Sequence, residues 1–395
     1  MNMRKILLCG VACLIPAAAS AATLSVGPGK TYATVAAAVA ASHNGDSIEV
    51  QTGTYTNDFV TITNSISIRA VGGRASMVAT VPVSSAKGIW VVGTSTTSPT
   101  VTIDGFDFSG ATTPSGNNAA GVMYQSGFLT LSNDSFHNNQ DGVRGGPIGT
   151  GVVLIDHCEF YSNGINDGLT HDVYIGIMPQ FTIQNSYIHD ALGGHEVKSR
   201  ALNTVVSNNR IFDNSSSSSY SVDIPQSGNV TITNNIIQQG TAAANPAILA
   251  YGEEAGVTQN PGRTISVSNN TIVNDLTAQT PVVMFNFSTA TAVLTNNSYW
   301  GITAPQIPGG TGPTTSTGDV FLGSRPTLDA TTHPYKTAYI TPQTLAVLNN
   351  KLLMTGFKLS MVAPGTQGGG GSVAGAWTDD DGTAITDDDG TAITD

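Results

Sequence analysis

Between residues 130 and 299 one pattern recurs: alternating apolar and polar residues, a polar corner that usually holds Asn, then another apolar residue. It reads Thr130-Leu-Ser-Asn-Asp-Ser-Phe136, Leu154-Ile-Asp-His-Cys-Glu-Phe160, Thr182-Ile-Gln-Asn-Ser-Tyr-Ile188 and Val205-Val-Ser-Asn-Asn-Arg-Ile211. It continues as Thr231-Ile-Thr-Asn-Asn-Ile-Ile237, Ser266-Val-Ser-Asn-Asn-Thr-Ile272 and Val293-Leu-Thr-Asn-Asn-Ser-Tyr299. Alternation of period two predicts short strands. The closing apolar residues are 24, 28, 23, 26, 35 and 27 positions apart. Irregular spacing in the mid-twenties suits a coil of rigid strands and elastic loops. It suits neither helical repeats nor propeller blades of about 40 residues. Asn at a repeated corner tolerates the left-handed backbone of a sharp turn, and stacked amides can bond to one another along the stack. The expectation is an all-β chain: a single-stranded right-handed parallel β-helix, or solenoid. Each coil supplies two or three strands, and inward Val, Ile, Leu and Phe fill the bore.

Such a rod needs covered ends. The Ala-rich stretch near 31–42 carries Val35 and Val39 four apart, which predicts an N-terminal cap helix. Asp46-Ser-Ile-Glu-Val and Gly53-Thr-Tyr read as the first coil, and Val60-Thr-Ile, Ile66-Ser-Ile and Val101-Thr-Ile-Asp-Gly-Phe-Asp-Phe as early coils. The solenoid is expected over 22–305 and a capping region over 306–364, with a short helix at Thr341–Leu353. Residues 365–395 hold a glycine run and a repeat, Asp379–Thr386 then Asp387–Thr394, that reads as a disordered acidic tail. Its spacing does not match a twelve-residue Ca²⁺ loop.

Residues 1–21 read as a signal peptide: Arg4 and Lys5, an apolar run from Ile6 to Pro16, and the small-residue site Ala19-Ser-Ala21. The run is too short to span a bilayer. The expectation is secretion, extracellular or periplasmic, after cleavage near Ala21, with no membrane insertion and a monomeric product. Cys9 and Cys13 leave with the leader, so Cys158 stands alone and reads as a packed thiol. The chain carries 15 Lys+Arg against 27 Asp+Glu. A negative balance argues against nucleic acid as partner. It leaves an anionic polymer open, because local cations decide that.

The chemistry-bearing side chains gather between Arg144 and Asp223. Val173, Val197 and Val222, 24 and 25 residues apart, centre three short strands, and Asp141-Gly-Val143-Arg fits the same frame. With Val inward, the outward column reads Arg144, Tyr174, Lys198 and Asp223, with Arg200 two past Lys198. A second column is expected to hold Asp172, Glu196 and Ser221. His171, His195 and Tyr220 share the inward parity of Val. The sequence leaves two roles open for the histidines, corner hydrogen bonding and catalysis. His189-Asp190 is a candidate groove-lining turn, and Glu253 and Glu254 lie at the groove's edge.

The leader, cap helix and Asn-cornered coils resemble the pectate-lyase-like superfamily of secreted β-helix proteins, over roughly residues 24–300. The resemblance implies an acidic or neutral polysaccharide laid along the stacked strands. The Lys198–Arg200 pair is similar to that of chondroitinase-B-like and alginate-active β-helix lyases. It implies β-elimination, with Lys198 as base, Arg200 and Arg144 binding the uronate carboxylate, and Tyr174 or His195 as acid. Asp172, Glu196, Asp223 and Tyr220 would contact substrate. The epimerases of this scaffold carry Asp-Pro-His-Asp; here only His171-Asp172 matches, and Thr170 replaces Pro. No cofactor is required on this reading, although Asp172, Glu196 and Asp223 would suit Ca²⁺. A glycoside hydrolase using an Asp/Glu pair and a non-catalytic adhesion rod are the alternatives.

Overall fold

The computed structural model describes residues 21–328, apart from 86, 115–118, 147–150, 215, 253, 255–259, 277–281, 287–290 and 303–313. The expected signal peptide, the helix at 341–353 and the acidic tail lie outside the described residues. The chain winds into stacked coils of three short strands, all paired in parallel with the coils before and after. One sheet of nine strands forms the first face, from Val60–Ile62 through Val143, Val173, Val197 and Val222 to Val282–Asn286. The other two faces are the ladders through Val152–Asp156 and through Glu159–Tyr161. Early in the chain they are joined by long strands, Ser47–Thr56 and Ile66–Val78.

The two residues of each corner, both asparagine at 208–209, 234–235, 269–270 and 296–297, divide the work. The first sits in the left-handed region: Asn133, Asn185, Asn208, Asn234, Asn269 and Asn296 have φ between 52° and 57°, and His157 takes the same place at 54°. That single residue swings the chain from one face to the next. The second builds a ladder. Asn209 Nδ2 donates to Asn235 Oδ1 at 3.1 Å, Asn235 to Asn270 at 2.9 Å, Asn270 to Asn297 at 3.0 Å, and Asn297 to Asp319 at 3.1 Å. Each amide also donates to a carbonyl of the coil before, as Asn235 does to Val206 O at 2.9 Å. Buried donors and acceptors are thereby paired without water. Cys158 occupies the equivalent position lower in the rod as a fully buried thiol.

Inside, like stacks on like. Phe108, Phe136 and Phe160 stack at 5.1 and 4.8 Å between centroids, about the spacing of paired strands. Helix Val35–Ala41 covers the N-terminal end, with Val35 and Val39 buried as their spacing predicts. Asp58 accepts the Val35 and Ala36 N–H groups, capping the helix. At the other end the solenoid runs past 305. Thr314–Thr317 and Val320–Phe321 add another rung, pairing with Thr291–Thr295 and Ser298–Trp300. The polar Thr-Thr-Ser-Thr of that rung lacks the apolar alternation that marks earlier strands.

The division of labour at the corner is testable. Asn235→Ala leaves carbonyl, amide and N–H groups of neighbouring coils unpaired and should cost about 3 kcal/mol. Asn234→Ala removes only a tolerance for positive φ and should cost about 1 kcal/mol, while Asn234→Gly should be near neutral. Urea unfolding midpoints check the order; equal losses at the two positions would contradict it.

Candidate active site on the nine-stranded face

The predicted register holds. Val143 pairs with Val173, Val173 with Val197 and Val197 with Val222, and all four are fully buried. Arg144, Tyr174, Lys198 and Asp223 therefore stand one above another on the outer wall. The Arg144 guanidinium lies 4.5 Å from the centroid of the Tyr174 ring. Lys198 Nζ is 2.7 Å from Asp223 Oδ2 and 3.4 Å from Glu254 Oε1. Arg200 grips Glu254 through two nitrogens, each at 2.6 Å, and its Nε donates to Tyr174 Oη at 2.9 Å. Arg144 is paired with Asp141 at 3.0 Å.

His171 and His195 are not in the bore. With Asp141 and Tyr220 they form a column beside the strands, in which the Asp141, His171 and His195 side chains each cap the next coil. Asp141 accepts the His171 N–H at 2.8 Å, His171 Nδ1 accepts that of His195 at 3.0 Å, and His195 Nδ1 accepts that of Tyr220 at 3.0 Å. The rings stack, His171 on His195 at 4.9 Å and His195 on half-buried Tyr220 at 5.3 Å. An accepting Nδ1 assigns the proton of each neutral ring to Nε2. His195 Nε2 is 3.1 Å from Asp223 Oδ2. Corner bonding and contact with the groove thus belong to the same side chain.

Asp172 and Glu196 correct the expectation of a second outward column. Both are fully buried, and Ser221 nearly so. The strands here are only three residues long, Val173–Ile175, Val197–Ser199 and Val222–Ile224. The residue before each lies in the bend, where strand alternation no longer governs direction. Asp172 Oδ1 accepts from Asn163 Nδ2 at 2.8 Å, and Glu196 lies beside Asp213 and Ser218. Asp172, Glu196 and Asp223 therefore do not gather around one point. Among the described residues no group of three or more His, Cys, Asp or Glu side chains is placed to hold a metal ion. His189-Asp190 is also elsewhere: His189 belongs to the Tyr187–His189 strand of another face, pairing with Glu159 and Asp190. Glu254, which closes the site, comes from a loop after Ala247–Tyr251. The sequence placed it at the groove's edge but gave no sign of its pairing with Arg200.

Electrostatics separate these groups. Burial alone would lower Lys198, but Asp223 and then Glu254 outweigh it and hold the ammonium above its ordinary value. The Arg200 hydrogen bond holds Glu254 below the usual carboxylate range. Burial keeps His171 and His195 neutral, aided by neighbouring cationic groups. Burial pushes Asp141 up to about 7 against the pull of Arg144. It pushes Asp172 up to about 8, and Glu196 well up beside Asp213 and Asp172.

Stability should follow. Asp141, Asp172 and Glu196 bind protons more tightly folded than unfolded, so stability falls as pH rises from about 4 toward 8. The histidines act oppositely: held neutral by folding, they cost stability as pH falls below about 6.5. The melting temperature should therefore drop between about pH 6.5 and 8.5. Asp172→Asn, which keeps an acceptor for Asn163 and cannot ionise, should flatten that slope and raise Tm at high pH by a few degrees, roughly. A Tm for Asp172→Asn below that of the parent at pH 8.5 would refute the burial argument.

Residues 122–299 match the right-handed β-helix region family. No curated protein matches the chain. Among solved structures, the chain is similar to pectate lyase Pel9A, with a TM-score of 0.52 at 18% identity over 75% of this chain and 82% of that one. An alginate lyase from Paenibacillus sp. str. FPU-7 matches with a TM-score of 0.46 at 16% identity, over 76% of this chain and 99% of that one. A lacto-N-biosidase from Eubacterium ramulus matches at 0.47 and 10% identity, over 76% and 68%. At 18% identity the likeness to the pectate lyase establishes the fold alone. Together with the three-strand coils and the parallel register, it makes the chain a right-handed parallel β-helix protein.

Proposed function

We propose that this protein is a secreted, monomeric polysaccharide lyase that cleaves an acidic, uronate-containing polymer by β-elimination on the nine-stranded face. One observation carries the reading. Tyr174 Oη, held by Arg200, stands one rung from the charged Lys198, between the cations of Arg144 and Arg200. Elimination needs a neutralised carboxylate, a base for the adjacent C–H, and an acid for the departing oxygen. The guanidinium groups of Arg144 and Arg200 suit a carboxylate. Tyr174, expected from the sequence as an acid, is assigned as the base, acting as its phenolate, with Arg200 Nε donating to its Oη at 2.9 Å. Lys198, expected from the sequence to be the base, is held charged by Asp223 and suits the acid's role instead. As Tyr174 takes the proton from the carbon beside the carboxylate, the new C=C forms and the C–O bond beyond it breaks. The leaving oxygen receives the Lys198 proton. His195 keeps Asp223 in place and does not itself transfer a proton. No cofactor enters this scheme.

A hydrolase would need one protonated and one ionised carboxyl group on the groove. Asp223 is committed to Lys198 and His195, and Glu254 is held ionised by Arg200. The raised acids Asp172 and Glu196 are turned away from the groove. The geometry therefore favours elimination.

The test is a panel of alginate, pectate, glycosaminoglycans and acidic exopolysaccharides, read for ultraviolet absorbance of unsaturated sugar ends and for reducing ends. On the substrate found, Tyr174→Phe and Lys198→Ala should each lose about 100-fold or more, with folding unchanged by circular dichroism. Reducing ends without absorbance would make the protein a hydrolase. Neither signal would leave a binding or adhesion rod. Full activity in Tyr174→Phe would remove the assigned base.

A further inference from the structure

The nine-stranded face extends toward the N-terminal end well past Arg144. Its outward column there runs Thr61, Val91, Met123 and Arg144, in unbroken parallel register. Beside Thr61 and Val91 opens a cavity of about 330 Å³, whose remaining lining is Ser85, Lys87, Thr94, Ser95 and Gln125. Every lining side chain but Val91 can donate or accept a hydrogen bond. The walls are held by their own bonds. Ser85 Oγ accepts the Lys87 and Gly88 N–H groups, each at 3.2 Å. Thr94 Oγ1 accepts those of Thr96 at 3.2 Å and Thr97 at 3.1 Å, and Thr94 O receives Ser126 Oγ at 2.8 Å. Gly93, at φ 77°, packs against Ser126 where a Cβ would collide.

Lys87 differs from the cations of the catalytic region. Arg144, Lys198 and Arg200 are each neutralised by a carboxylate of the fold. Lys87 is exposed, and among the described residues no carboxylate forms an ion pair with it. It presents an uncompensated positive charge above a nest of hydroxyls and an amide. That combination suits one anionic, hydroxyl-rich unit.

Spacing connects the two places. Rungs rise by about 4.8 Å, and Val91 lies three rungs from Tyr174 and four from Lys198. The separation is thus roughly 14–19 Å along the rod. An extended pyranose polymer advances by about one sugar per rung. We infer that the Lys87 cavity is a distal subsite for an anionic sugar of the same polymer, three to four residues from the bond that is cleaved. This rests on the proposed action on an acidic polysaccharide. It adds that the polymer extends to the N-terminal coils.

Lys87→Ala should lower kcat/KM on the polymer about tenfold, leave trisaccharides of the same sugar unaffected, and be rescued by Lys87→Arg. An undiminished rate on polymer, or an equal loss on polymer and trisaccharide, would overturn the subsite. Should the parent protein cleave no member of the panel, the lyase reading falls and the subsite is judged by binding. In affinity electrophoresis through gels containing the same polymers, retardation of the parent that is lost in Lys87→Ala supports it. No retardation, or equal retardation of both, overturns it.

Discussion

Everything in this protein depends on each coil satisfying its backbone through the coils above and below it. A three-residue strand such as Val197–Ser199 has no stability of its own. It exists because Val173–Ile175 and Val222–Ile224 flank it in register. That constraint forces equivalent residues to stack, and stacking then selects their chemistry. Side chains that gain from a copy of themselves one rung away are kept at such positions: Phe on Phe in the bore, Asn on Asn at the corner, His on His beside the groove. The Asn209–Asn297 ladder is the clearest case. Each amide is at once donor and acceptor, so a column of any length can be closed without leaving a buried polar atom unpaired.

The same stacking creates an electrostatic problem on the outer wall. Arg144 and Lys198 are separated by a single rung, and Arg200 lies beside them. The fold resolves it by supplying Asp141, Asp223 and Glu254, one carboxylate to each cation. The result is a dense but nearly neutral site. Asp223 and Glu254 keep Lys198 protonated, and burial keeps His171 and His195 neutral. At Lys87, next to a strand of the same face, no carboxylate among the described residues forms an ion pair.

Much of this was legible in residues alone. The alternation around Val143, Val173, Val197 and Val222 predicted the pairing of four coils, because a one-residue slip would turn valine outward and charge inward. The misplaced side chains were those beyond the strand ends. Asp172 and Glu196 follow the bend rather than the pleat, and there they meet Asn163 and Asp213, which lie just past the Glu159–Tyr161 and Arg210–Phe212 strands. Glu254 was legible as an acid at the groove's edge, but its pairing was not, because its partner Arg200 is 54 residues away in the chain.

What the chain's pattern settled by itself is the solenoid, its corners and the order of side chains up the outer wall. These follow from short-range rules: a period of two, and asparagine's tolerance of positive φ at one corner residue. Tertiary structure decided which groups are charged, which nitrogen of His195 carries its proton, and which acids face the groove. Those properties depend on burial and on partners one or more coils distant, and a linear pattern carries no measure of either.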